Sequence, residues 1–200
     1  MARKPTWTFD IVRKYGNYEQ VCERFSYLRM ANITADTMSV FRDDTPSLVR
    51  LDVTYGKGAA DAWLYDVLQS TLLFLGVTND KFSKEQVVDL ARTISSQYRT
   101  LRMAEILLFL SRFKAGRYGR FYGGGSYALV ITEALNQFEG ERIYYLQQIQ
   151  KENERKEEEQ RKQNAMPAMS YEEYQRLKQQ QQRQQNDKEP TLFDVVDNNL

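Results

Sequence analysis

No histidine occurs in the 200 residues, and Cys22 is the single cysteine. Ser-His-Asp and Cys-His nucleophile systems, histidine-ligated metals and imidazole acid-base catalysis are therefore excluded, as is any intrachain disulfide. Carboxylates are the remaining candidates for chemistry. Asp61 and Asp66 are five residues apart, a spacing that does not put both on one helical face. Asp43-Asp44 precedes Pro46 and reads as a turn or cap. Lys57 in Tyr55-Gly56-Lys57-Gly58 lacks the upstream glycine and the hydroxyl of a phosphate-binding GxxxxGK[ST] loop. The residues thus assign no catalytic group, no metal and no cofactor, and magnesium-dependent chemistry through acids has no motif behind it.

One stretch does concentrate binding chemistry. Residues 97–122 hold Arg99, Arg102, Arg112, Lys114, Arg117 and Arg120 against one acid, Glu105, a local +5 in a chain of net +1. Tyr98, Tyr118, Phe121 and Tyr122 interleave with these cations, and glycines punctuate the segment from Gly116 to Gly125. Guanidinium groups neutralise phosphates, aromatic faces stack on unpaired bases, and glycine lets a backbone approach a phosphate closely. This predicts a nucleic-acid contact through Arg112, Lys114, Arg117, Tyr118, Arg120 and Tyr122. The same residues admit an internal reading: Gly116 as a helix C-cap, Phe121 and Tyr122 as core plugs, and the arginines paired with acids elsewhere. Gly116-Arg117-Tyr118-Gly119 also matches the bare GxxG of KH domains, but no flanking strands are evident.

A second binding element lies at the carboxyl terminus. After a polar stretch, residues 190–200 (PTLFDVVDNNL) are apolar again. Leu192 and Phe193 are candidate anchors for a protein partner, or fold back onto the body. Glu189 to Phe193 resembles the QLxLF peptide that bacterial replication proteins insert into the sliding clamp. Here Glu189 stands for the glutamine and Pro190 for the first leucine. On a coil tether of forty residues such a peptide searches roughly 35 Å.

The elements that must position these groups read as helices. Residues 1–150 carry 19 basic and 16 acidic groups and nearly all the large apolar residues, whereas 151–200 carry 9 basic and 11 acidic groups and nine glutamines. The first part can bury a core and the second mostly cannot. Asn17 with Gln20, and Ser83 with Gln86, have the spacing of capping boxes. Tyr18, Val21, Cys22 and Phe25 share one face, which makes Cys22 a small hydrophobe more than a reactive thiol. Thr45-Pro46-Ser47-Leu48 looks like a helix start with proline first, although Val49, Leu51 and Val53 alternate as in a short strand.

Ala60, Trp63, Leu64, Val67, Leu68, Thr71, Leu72 and Leu75 form the strongest helical stripe. Gly76 ends it, and it is expected to be the core pillar, with Leu73 and Phe74 buried as well. Further helices follow over Ser83–Tyr98, Leu101–Lys114 and from Ser126 onward. The Ala59–Val77 run contains Asp61 and Asp66 and so reads as a core helix, not a membrane span. The amino terminus has no apolar run of signal-peptide length, and with one cysteine a cytoplasmic location is expected.

Ala62-Trp63-Leu64 through Gly76, the Ser83–Tyr98 helix, Arg102 to Leu110, the block Phe113-Lys114-Ala115-Gly116-Arg117-Tyr118-Gly119-Arg120-Phe121-Tyr122-Gly123, and Ile131 to Arg142 resemble an uncharacterised family. Its members occur in gut-type bacteria, their phages and mobile elements. FKxGxYGxFYG is its specific block. Where the family's usual text continues with Asp-Pro, this chain has Gly124-Gly125-Ser126. The resemblance covers residues 60–145, with 81–145 the family-like part. It implies a helical body with a charged low-complexity tail, and it supplies no catalytic residues. Size, helical body and tail are also similar to phage helicase loaders, a likeness at the level of fold.

The expected architecture is therefore all-α. A single helical bundle spans residues 1–150, a charged and Gln-rich linker, helical or disordered, spans 151–189, and a hydrophobic peptide spans 190–200. The expected function is a non-enzymatic accessory protein of DNA transactions in a phage or mobile element. In that reading the body contacts DNA or a nucleoprotein, and the tail contacts a sliding clamp or other replication protein. No membrane is involved. The alternative is a structural or assembly adaptor that touches no nucleic acid.

Overall fold

The computed structural model describes residues 5–78, 80–119, 126–164 and 171–186. Among the described residues the chain is all-α, with no strand. The helices are α1 (Thr6–Tyr15), α2 (Tyr18–Arg24), α3 (Met30–Ile33), α4 (Thr37–Arg42), α5 (Leu48–Tyr55), α6 (Ala59–Phe74), α7 (Lys84–Gln97), α8 (Met103–Lys114), α9 (Tyr127–Asn164) and α10 (Tyr171–Asn186). A 3-10 turn, η1 (Tyr27–Arg29), precedes α3. No helix of the described residues is long and apolar enough to cross a membrane. The chain divides into two units, Met1–Gln150 and Lys151–Leu200.

Local chemistry starts the helices where the spacing predicts. At α2 the Gln20 amide donates to Asn17 Oδ1 at 2.9 Å, and the Asn17 amide donates back to Gln20 Oε1 at 2.9 Å. Ser83 and Gln86 make the same reciprocal pair at α7. Each box satisfies two of the amides that a helix start leaves unpaired. The apolar stripe of α6 packs inward from Ala60 to Leu72, and Trp63 Nε1 donates to the Phe25 carbonyl at 3.0 Å, tying α6 to the end of α2.

Two expectations are corrected. Residues 48–55 form the helix that the Thr45–Leu48 start suggests, not the short strand that the alternation also allowed, but the cap differs: Ser47 caps it by accepting the Arg50 amide, and Leu48, Leu51 and Thr54 turn inward one helical turn apart while Val53 faces out. Ser47, not Thr45, is the cap, so Pro46 precedes the helix instead of opening it. Leu48 and Met103 still make a strand-like link, pairing with Leu101 and Pro46 through backbone hydrogen bonds at 3.0 and 2.9 Å. The second correction concerns α6, which buries one face only, with Leu73 and Phe74 exposed at its end. The helix surrounded on all sides is α8, where every residue from Met103 to Leu110 is buried. From Met103 to Leu110 its sequence has no polar residue except Glu105, so nothing favours exposing any side of that stretch.

In the second unit, stabilisation is along the helix. Glu152–Lys156, Arg155–Glu159, Glu157–Arg161 and Glu158–Lys162 are all ion pairs at i,i+4 spacing. Each such exposed pair contributes a few tenths of a kcal/mol. No residue described in α10 is buried.

Gly16 joins α1 to α2 with φ of 83°, a conformation that L side chains resist. A Cβ there would collide with Gln20 Oε1, the oxygen that closes the α2 capping box. Gly16→Ala is expected to lower stability by about 2 kcal/mol, seen as an earlier urea midpoint. An unchanged midpoint would show that the box does not hold this corner.

Candidate functional site

The cations expected to face a ligand radiate from the last turn of α8. That helix ends in a Schellman turn: the Gly116 amide donates to the Phe113 carbonyl at 3.0 Å and the Arg117 amide to the Arg112 carbonyl at 3.1 Å. Gly116 adopts φ of 76° to close it. The turn reverses the chain and directs Tyr118 back over the core, its ring centroid 5.7 Å from that of Phe109.

Arg112 points toward α9 and α4. Its Nη1 meets Glu141 Oε2 at 2.6 Å, its Nη2 donates to Thr37 Oγ1 at 3.2 Å, and its guanidinium lies 5.5 Å from the Tyr145 ring centroid. The side chain is 10% exposed. Arg117 Nε reaches the other oxygen of the same carboxylate at 3.0 Å and is 50% exposed. Two guanidinium groups thus share one carboxylate, leaving that trio a single net positive charge. Glu141 holds the Arg117 guanidinium further up than usual. Tyr118 has its hydroxyl buried without a hydrogen-bond partner among the described residues. Burial first, then Glu141, pushes its phenol up, while Arg112 lies close enough to oppose that rise without normal hydrogen-bond geometry.

Lys114 turns elsewhere. Its Nζ donates to the Tyr27 hydroxyl at 3.0 Å and lies 4.4 and 4.3 Å from the ring centroids of Tyr27 and Phe74. The described cations therefore do not form one coherent face: Arg112, Arg117 and Tyr118 gather around Glu141, and Lys114 joins η1 to the end of α6. Arg120 and Tyr122, and Leu192 and Phe193 of the terminal peptide, lie outside the described residues.

The residues that organise this region are not among the predicted contact residues. Glu105 is 0% exposed. Its Oε2 accepts the Arg102 amide at 2.8 Å and its Oε1 accepts Arg142 Nε at 3.1 Å. Arg102 in turn donates through Nη1 to the carbonyls of Phe41 and Asp43 at 3.1 and 3.0 Å. The available signal was Glu105 itself, a lone carboxylate in an apolar run, since buried acids are paired. Its partner, 37 residues further on, carries no local signal.

The acids weighed as chemical groups have structural partners. Asp44 pairs with Arg50 at 3.1 Å, and Asp61 accepts from the Ser95 hydroxyl at 2.5 Å. Among the described residues, no three His, Cys, Asp or Glu side chains are grouped to hold a metal ion. Desolvation lifts the Asp66 carboxyl, and burial lifts the half-buried Cys22 thiol.

Residues 81–185 match a family of unknown function, DUF6633. The chain belongs to that family. The matched stretch takes in α7, α8 and both partners of the Glu105–Arg142 pair. Comparison with curated proteins and with solved structures gave no match.

Three outcomes follow from this geometry. Glu141→Gln leaves the nearly buried Arg112 without its counter-charge and is expected to cost about 2 kcal/mol in urea unfolding. Arg117→Gln removes the exposed partner and is expected to cost less than about 1 kcal/mol. Equal costs would contradict the assignment of Arg112 as the structural member. Cys22 is expected to alkylate more slowly with iodoacetamide in the folded chain than in urea, because burial disfavours the thiolate; equal rates would place it at the surface.

Proposed function

We propose that this DUF6633 protein is a non-enzymatic adaptor that engages a protein partner through an apolar surface where η1 meets the end of α6. The observation that carries this reading is Leu28, 90% exposed on η1, with Leu73 and Phe74 exposed at the end of α6. Tyr27 and Phe74 flank the Lys114 ammonium on that surface. Beside it lies a groove of about 230 Å³ lined by Cys22, Leu28, Trp63 and Val67. Exposed apolar side chains in contiguous array are the usual mark of a protein contact. Lys114 at the centre favours a partner segment that is apolar and carries a carboxylate.

The finer expectation is a replication accessory in a phage or mobile element, akin to helicase loaders and acting in the cytoplasm. It holds Arg112, Lys114, Arg117, Tyr118, Arg120 and Tyr122 against DNA and Leu192 and Phe193 against a sliding clamp. Its support is the half-exposed Arg117 and the cationic composition of residues 97–122. Against it stands the engagement of Arg112 and Lys114 inside the fold, which lowers the charge left for phosphates.

One pair of measurements separates the readings. The adaptor reading predicts no mobility shift of single- or double-stranded DNA at low salt. It also predicts that Leu28→Asp with Phe74→Asp abolishes capture of a partner from host lysate without moving the thermal midpoint. The DNA reading predicts a shift whose log-log salt slope falls by about one when Arg117 is replaced by glutamine. That result, with capture unaffected by the double substitution, would overturn the adaptor assignment.

A further inference from the structure

A separate cleft of about 540 Å³ opens between the ends of α1 and α2 and the face of α3 and α4. Its volume lies in the range of small-molecule sites. Two cations stand at its mouth. Lys14 Nζ lies 5.0 Å and the Arg24 guanidinium 5.2 Å from the centroid of the buried Tyr15 ring, so both heads converge on one aromatic side chain. Lys14 has a backbone carbonyl, that of Asp44, at 3.5 Å. Among the described residues, neither cation has a carboxylate within ion-pair distance, in contrast to Arg112, Arg117 and Arg142.

The floor supplies the second observation. Thr45 is 6% exposed and lines the cleft, and its buried Oγ1 has no hydrogen-bond partner. A buried hydroxyl left unpaired is costly, and folded proteins keep few of them. The acids at the rim differ in what they offer. Asp36 is occupied as the α4 cap, accepting the Met38 amide at 2.9 Å and the Ser39 hydroxyl at 2.6 Å. Asp43 lines the same cleft with no side-chain partner among the described residues.

We infer that this cleft binds a small zwitterion. Its oxyanion head, phosphate or carboxylate, sits at Lys14 and Arg24, its ammonium faces Asp43, and a χ1 rotation of Thr45 turns its buried Oγ1 to a polar atom of the ligand. A guanidinium and an ammonium with no counter-ion of their own match an oxyanion. The unpaired Asp43 turns the site against simple dianions by like-charge repulsion and so selects a ligand with a positive end. The site is independent of the apolar surface at η1 and α6 and can fail or stand without it.

The test is an amide-shift NMR titration of the full chain with three probes: O-phosphoethanolamine, β-alanine and inorganic phosphate. The inference expects saturable shifts at the amides of Tyr15, Arg24 and Thr45 with a Kd of about 1 mM or tighter for at least one zwitterion, and weaker binding of inorganic phosphate. Which zwitterion binds tighter identifies the head group. Arg24→Gln, or Lys14→Gln if that variant fails to fold, should weaken binding about tenfold, while Arg92→Gln on the exposed face of α7 should not. Thr45→Val carries the sharpest signature: it should raise the thermal midpoint of the free chain, by removing an unpaired polar atom, and weaken the ligand. No saturable shift, an equal loss from Arg92→Gln, or full affinity in Thr45→Val would each overturn the assignment.

Discussion

The Glu105 carboxylate has no exposed surface, and it sits in the helix that the rest of the body surrounds. An ionised acid in such a place is tolerable only when its lone pairs are met by donors of good geometry. Here one oxygen takes a backbone amide at the start of its own helix, and the other takes Arg142 from α9. Position and partner therefore fix each other: the Met103–Leu110 stretch of α8 can be buried on every side because α9 brings a cation to the single polar side chain in that stretch. Arg102, whose amide serves Glu105, extends the same network to the end of α4 through its guanidinium.

That constraint is matched at the other end of α8, where a second arginine of the cationic segment turns inward. Near the α8 terminus, Arg112 lies against Glu141 one residue before Arg142, so consecutive positions of α9 answer both ends of α8 with opposite charges. Aromatic packing reinforces the junction, with Phe41 stacked on Tyr145 at 4.9 Å and Phe109 tilted against Phe138 at 5.7 Å. Among the described residues the charge of Arg112 and Arg142 orients helices, and the recognition surfaces we propose lie elsewhere: the apolar side chains at η1 and α6, and the cleft between α1, α2 and α4.

What could be read from the sequence was what local spacing determines. The capping boxes at Asn17 and Ser83, the stripe of α6 and the C-cap reading of Gly116 each depend on residues within one or two turns. At α5 the alternation of Val49, Leu51 and Val53 competed with the helical spacing of Leu48, Leu51 and Thr54, and the Ser47 cap decided between them. The exposure of Leu73 and Phe74 was not legible, because apolar character does not say whether a neighbour arrives to cover it. Nor were the partners of Arg112 and Arg142, which lie 29 and 37 residues away in sequence. Composition counted Arg112 in a patch and did not single out Arg142; only the fold shows which carboxylates they meet.

A double-mutant cycle on Glu105 and Arg142, with each changed to glutamine alone and together and unfolding followed in urea, tests the central claim most directly. The account predicts strong coupling, about 2 kcal/mol or more, with the double variant more stable than the sum of the single losses implies. Additive losses, within about 0.5 kcal/mol, would contradict it, and the arginines of α8 and α9 would then be free for another role.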